Sequence, residues 1–153
     1  VYNTSGYDDL EMLLLLDGVI DIYMPDMRYA DNAAAVRYSV APYYVQVNRA
    51  AVKEMYRQVG NLVMDKDGIA TRGLLVRHLV LPNKVSGTEE VMKFLAKEIS
   101  KDVYVSLMSQ YFPAYRSAES KQLSRRITEE EYDEAYSMKI KYGLKKGWVQ
   151  NVE

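Results

Sequence analysis

The order of apolar and polar positions divides the chain into repeated strand-then-helix units. Val1-Tyr2-Asn3-Thr4 has the composition of a short strand, and Ser5-Gly6 turns the chain out of it. Asp8 or Asp9 can cap a helix on which Leu10, Leu13 and Leu14 recur at helical spacing, with Asp17-Gly18 as its end. The β-branched and aromatic run Val19-Ile20-Asp21-Ile22-Tyr23-Met24-Pro25-Asp26-Met27-Arg28 then reads as a buried strand. Pro25, which has no N–H to donate, is expected to stop its ladder and deliver Asp26 and Arg28 to the C-terminal edge. A short helix is expected over 32–36. Pro42 suits a first helical turn, and Asn48, Val52, Met55, Tyr56 and Val59 mark one face of a longer helix that stops at Gly60.

The second half repeats the plan. Residues 61–70 form a hairpin outside the main sheet, with Asp67-Gly68 supplying the positive φ angles of a tight turn. Residues 74–82 are nearly all apolar, as in a parallel strand covered on both faces, but Arg77 and His78 interrupt them. Adjacent strand residues face opposite sides, so only one of these two can point to a given face. Ser86-Gly87-Thr88-Glu89 reads as a capping box for a helix with Val91, Phe94, Leu95 and Ile99 on one face. Val103–Met108 is the next strand, a polar loop follows, and Thr128-Glu129-Glu130-Glu131 is a second capping box. It opens a helix with a buried stripe of Tyr132, Ala135, Tyr136 and Ile140 that stops at Gly143; Trp148 lies in the tail. Four main strands joined by helical crossovers predict a parallel α/β sheet. Four cannot close a barrel. The fold is a small open sheet or a piece of a larger open barrel, and a chain that opens directly on a strand favours the piece.

Composition narrows the class. The 153 residues suit a single domain spanning 1–153. The formal net charge of −1 provides no field to attract nucleic acid, and no basic stripe with interleaved aromatics is present. No apolar run reaches the roughly 20 residues of a membrane span, and no signal peptide is recognisable, so a cytoplasmic protein is expected. The absence of cysteine removes disulfides, thiolate nucleophiles and thiolate-ligated metals, and the single His78 cannot build a zinc site alone. Fourteen tyrosines against two phenylalanines point to half-buried packing residues whose hydroxyls need partners.

The candidate chemistry collects at the strand exits. These carry Asn3, Thr4 and Ser5, then Asp26 and Arg28, then Gln110 and Tyr111, with Arg77 or His78 on the third main strand. No Gly-rich loop opens a helix after a strand, and no strand carries a lysine for Schiff-base chemistry. His78 beside a carboxylate would serve as a general base, against the commoner core histidine bonded to a neighbour. The oxygens of Asn3 and Asp26, with nearby carbonyls, outline a possible cation pocket.

Taken in order, Asn3-Thr4-Ser5-Gly6-Tyr7, Asp21–Tyr29, Leu75–Pro82, Ser106–Tyr111, Gly143-Leu144 and Gly147-Trp148 resemble the radical S-adenosylmethionine enzymes related to pyruvate formate-lyase activating enzyme. The resemblance covers nearly the whole chain. It implies the C-terminal portion of an open, partial TIM-like β/α barrel with a small β-hairpin excursion. The parent would be an oxidoreductase that generates a 5′-deoxyadenosyl radical to abstract hydrogen from a glycyl-radical enzyme or another substrate. It also implies S-adenosylmethionine contacts at Asn3, Thr4, Ser5, Asp26, Arg28, Arg77 and His78. The family's Asp-Thr-Asn-Gly stands here as Asn3-Thr4-Ser5-Gly6, and its strand lysine as Arg28, which alters reach and hydrogen-bond geometry. The three cysteines that hold the family's [4Fe–4S] cluster are absent, so this fragment alone is expected to carry no catalytic residue or metal ligand and to be inactive. Its expected partners are the missing N-terminal half of the barrel and, through an exposed first strand, a second copy. The alternative is a non-enzymatic α/β binding or interaction module.

Overall fold

A computed structural model describes residues 1–152. The main elements run in the order β1 (Tyr2–Thr4), α1 (Leu10–Leu15), β2 (Ile22–Pro25), α2 (Asn32–Ser39), α3 (Tyr44–Val59), β3 (Val63–Met64), β4 (Ala70–Leu79), α4 (Thr88–Phe94), β5 (Tyr104–Met108), α5 (Glu129–Lys141) and β6 (Gly147–Val149). The order across the sheet is β1-β2-β4-β5-β6, every neighbouring pair along it is parallel, and β3 runs antiparallel to the start of β4. The sheet does not close into a barrel.

Only one face of this sheet is covered. Leu13 of α1, Val52 and Met55 of α3, Val91 and Phe94 of α4, and Tyr132 and Ala135 of α5 share one core with Tyr23, Val76, Val105 and Leu107. Side chains alternate along a strand. The residues between them, Met24, Leu75, Arg77, Tyr104 and Ser106, therefore line a helix-free face and are partly open to solvent. A smaller core of Tyr29, Ala35, Ala41, Tyr44, Leu81 and Leu123 closes the C-terminal end of the strands.

Several sequence expectations need correcting. β2 does end at Pro25, opposite Thr4, but bonding continues past it, the Asp26 and Met27 amides donating to Thr4 O and Arg77 O at 3.0 and 2.8 Å. A proline at the outgoing end of a strand costs one donor, and β1 ends there too. Pro42 precedes α3 rather than entering it. In the hairpin only Gly68 has a positive φ; Asp65 organises the turn by accepting from the Asp67 and Ile69 amides. Ser86 does not cap α4, whose N-cap is Gly87, because the Ser86 and Thr88 hydroxyls are drawn inward. The capping box at Thr128 forms in full.

Two helical stripes are also displaced. On α1, Leu13 alone is buried, and Leu10 and Leu14 face solvent because α1 sits at the end of the helical layer with α3 on one side. On α5 the buried set is Tyr132, Ala135 and Lys139, while Tyr136 and Ile140 are exposed. Lys139 is only 2% exposed; burial lowers the pKa of its amine while its stem fills apolar space. The tail around Trp148 is a fifth parallel strand, unmarked in sequence because it is three residues long.

That last strand depends on a glycine. At Gly147 φ is +112°, and a Cβ would lie 2.1 Å from Val105 O. Gly147→Ala is expected to lower stability by roughly 1–3 kcal/mol. Denaturant unfolding checks this, with a red-shifted emission from Trp148 in the native baseline as β6 lifts off β5.

Candidate functional site

The site is built around one carboxylate. Asp26 leaves β2 on the helix-free face, with its side chain 5% exposed and both oxygens engaged by guanidinium groups. Arg28 donates from Nε and Nη2 to Oδ2 at 3.2 and 2.8 Å. Arg77 reaches Oδ1 from Nε and Nη2, both at 2.7 Å. Two cations against one anion leave one positive charge, and Arg28 and Arg77 remain 45% and 27% exposed. Charge-assisted bonds of this kind are short and directional.

The backbone that carries the carboxylate is fixed from behind. Buried Asn48 of α3 donates from Nδ2 to both Gly6 O and Asp26 O at 2.9 Å, tying the exits of β1 and β2 together. Gly6 must be glycine: its φ is +75°, and a Cβ would stand 2.2 Å from Asp26 O. The Arg28 amide donates to Tyr44 Oη at 2.9 Å, and burial raises the Tyr44 hydroxyl to about 12. Asn48 was legible as a polar residue in an otherwise apolar stripe. Tyr44 gave no signal.

The register places the other expected contacts. Asn3, opposite Met24, lies on the Asp26 face of the edge strand and Ser5 follows just past its end; both are exposed, and among the described residues their side chains have no partner within the chain. Thr4 does not join them; its hydroxyl donates to Asp8 Oδ2 at 2.7 Å on the helix-covered side. Of the adjacent pair, Arg77 faces the site. His78 is fully buried on the opposite face, so it is a core residue. The cation pocket expected from Asn3 and Asp26 is overturned, because guanidinium groups hold both carboxylate oxygens and repel another cation. Tyr111 is structural, its hydroxyl bonded to Leu123 O. The site is an open sheet face. A concavity of about 260 Å³ between α4 and α5 is lined by none of these residues.

Behind the site runs a chain of hydrogen bonds with one polarity. Met27 O can only accept, so His78 carries its proton on Nδ1 and donates across 2.6 Å. Nε2 must then accept from the Thr88 hydroxyl at 2.9 Å, Thr88 Oγ1 from the Ser86 hydroxyl at 3.3 Å, and Ser86 Oγ from the Leu81 amide at 3.4 Å. Burial pushes His78 down to about 4. Its basic lone pair is occupied, which removes it as a general base.

No protein-family model matches the chain. A protein of Methanocaldococcus jannaschii, described as uncharacterized, is 31% identical over 145 residues, covering 94% of this chain and 38% of that protein. The chain thus spans well under half of the relative it matches. Among solved structures, a domain of pyruvate-formate lyase-activating enzyme from Bacteroides vulgatus superposes with a TM-score of 0.64, over 97% of this chain and 79% of that one, at 13% identity. At that identity the likeness is one of fold, and it agrees with the partial TIM-like architecture. Among the described residues no helix is long and apolar enough to cross a membrane.

The buried histidine yields a pH dependence. Unfolded, His78 titrates near 6.5, and folded near 4, so between those values the unfolded chain holds more protons. Stability is expected to fall as pH drops from 6.5 to 4, by at most about 3 kcal/mol. Urea unfolding across that window checks it: His78→Gln is expected to be less stable at pH 7 and to lose most of the slope.

Proposed function

We propose that this chain is the part of a radical S-adenosylmethionine protein that holds the polar groups of S-adenosylmethionine. The parent would generate a 5′-deoxyadenosyl radical and abstract hydrogen from a glycyl-radical enzyme or another substrate. The observation that carries the reading is the pair of guanidiniums fixed by Asp26 at the outgoing end of an open parallel sheet. In α/β folds that end is where ligands bind. The fold likeness to a pyruvate-formate lyase-activating enzyme domain supports it.

The donor set fits S-adenosylmethionine in part. Arg28 and Arg77 offer the uncompensated charge that a carboxylate needs, and Asn3 and Ser5 offer free groups to an amine or hydroxyls. Thr4 and His78 face the covered side and are not part of the proposal. The set does not fit an iron–sulfur cluster, since none of the 153 residues is cysteine. Bound S-adenosylmethionine would supply the radical precursor; the residues here orient it and compensate its carboxylate. The sequence alone is expected to bind no cluster and to leave the cofactor uncleaved. Equilibrium dialysis with S-adenosylmethionine tests the reading. Saturable binding is expected, weakened about tenfold or more by Arg28→Gln, the loss of one charge-assisted contact. Binding that is absent, or indifferent to that change, would overturn it.

One observation favours the non-enzymatic reading. Leu10, Met12, Leu14 and Leu15 of α1 face solvent beside the edge strand β1, a combination that invites association. The proposed occupant of that flank is another β/α unit, either the rest of a barrel or a second copy. Light scattering on the isolated chain at dilute concentration is expected to show species larger than a monomer, and Leu14→Glu with Leu15→Lys is expected to shift them toward monomer.

A further inference from the structure

The register of the five parallel strands sets one side chain from each in a single transverse row. Thr4 lies opposite Pro25, which brings Ser5 beside Asp26; Asp26 bridges Arg77, Arg77 pairs with Ser106, and Ser106 pairs with Trp148. Alternation keeps Asp26, Arg77, Ser106 and Trp148 on the helix-free face. Arg77 on β4 spends Nε and Nη2 on Asp26, whereas Ser106 and Trp148 on β5 and β6 lie away from that cluster. Ser106 has no side-chain partner among the described residues. Trp148 is 47% exposed, and its ring meets that of Tyr104, with centroids 5.6 Å apart and planes tilted by 45°.

We propose that Arg77, Ser106 and Trp148 form a subsite for a second ligand, a compact organic anion that carries a planar ring. Its anionic end meets the exposed edge of Arg77, where two guanidiniums outweigh one carboxylate. Its ring lies on Trp148, which Tyr104 supports from the side and Gly147 holds against β5. Ser106, between them, offers a hydroxyl. Strands are spaced about 4.8 Å apart, so the backbones of Arg77 and Trp148 stand roughly 10 Å apart with Ser106 between them. That length accepts an aromatic carboxylate with a short linker and rejects an extended chain. Aromatic faces and guanidinium edges attract planar anions, whereas a neutral ring gains the stacking alone. The proposal rests on the cofactor reading only in sharing the face and Arg77, and it names a substrate class for it.

Trp148 is the only tryptophan, so its fluorescence reports this position alone. The probes are 3-phenylpropionate, its neutral amide, and acetate. The acid is expected to shift the emission saturably, the amide to bind about tenfold or more weakly, and acetate at equal concentration to leave the emission unchanged. Arg77→Gln, with folding verified by thermal melting, is expected to erase the difference between acid and amide. Trp148→Leu, followed by calorimetry, is expected to lose the acid while dialysis still shows S-adenosylmethionine binding. No saturable shift with the acid, equal binding of acid and amide, or unchanged binding in Trp148→Leu would overturn the proposal. Loss of both ligands in Trp148→Leu would assign the tryptophan to the cofactor and overturn a separate subsite. Binding of the acid without S-adenosylmethionine would uphold this subsite and sink the cofactor reading.

Discussion

The arrangement of this molecule turns on a carboxylate that cannot be left alone. A nearly buried Asp26 is tolerable only because two guanidiniums take its oxygens, since a buried charge left without a partner is strongly destabilising. To satisfy it, β2 must exit beside β4 with Arg77 at the matching register, and Arg28 must fold back by two residues. The same residue ties β1 through its amide and α3 through its carbonyl. One polar requirement thus aligns three strands and a helix at the outgoing edge of the sheet.

The two faces of the sheet divide the labour. Helices cover one face completely and leave the other with half-exposed side chains of mixed character. On the covered face buried hydroxyls meet a partner, as with Tyr23 Oη bonded to Gln58 and Tyr132 Oη bonded to Leu107 O, while Asn61 Oδ1 is buried without one. Among the described residues, eight of the fourteen tyrosine hydroxyls find partners, a use of the ring that phenylalanine does not offer. The open face keeps unpaired hydroxyls and charge, the raw material of recognition.

Much of this was legible in the sequence, and the failures have physical causes. The parallel α/β plan and the C-terminal placement of Asp26 and Arg28 followed from period and punctuation. Helical spacing gave the right helices but the wrong faces on α1 and α5, because which stripe is buried depends on neighbours that spacing does not encode. Ser86 looked like a cap because its spacing to Glu89 fits one; tertiary demand from His78 and Leu81 captured the hydroxyls instead. Arg77 and His78 could not be separated until the register was known. Trp148 was invisible as part of the row, since pairing between strands far apart in sequence leaves no local mark.

The histidine behind the site has an effect on the surface in front of it. His78 stands beside Arg77 in the chain and holds the carbonyl of the residue after Asp26, yet it stays uncharged down to about pH 4. A charged imidazolium there would add a third cation within reach of the carboxylate. Its fixed neutrality means that, across ordinary cellular acidity, the electric field over the open face is set by the two guanidiniums and the one carboxylate. A ligand arriving there meets no added positive charge from the imidazole at any pH above that point.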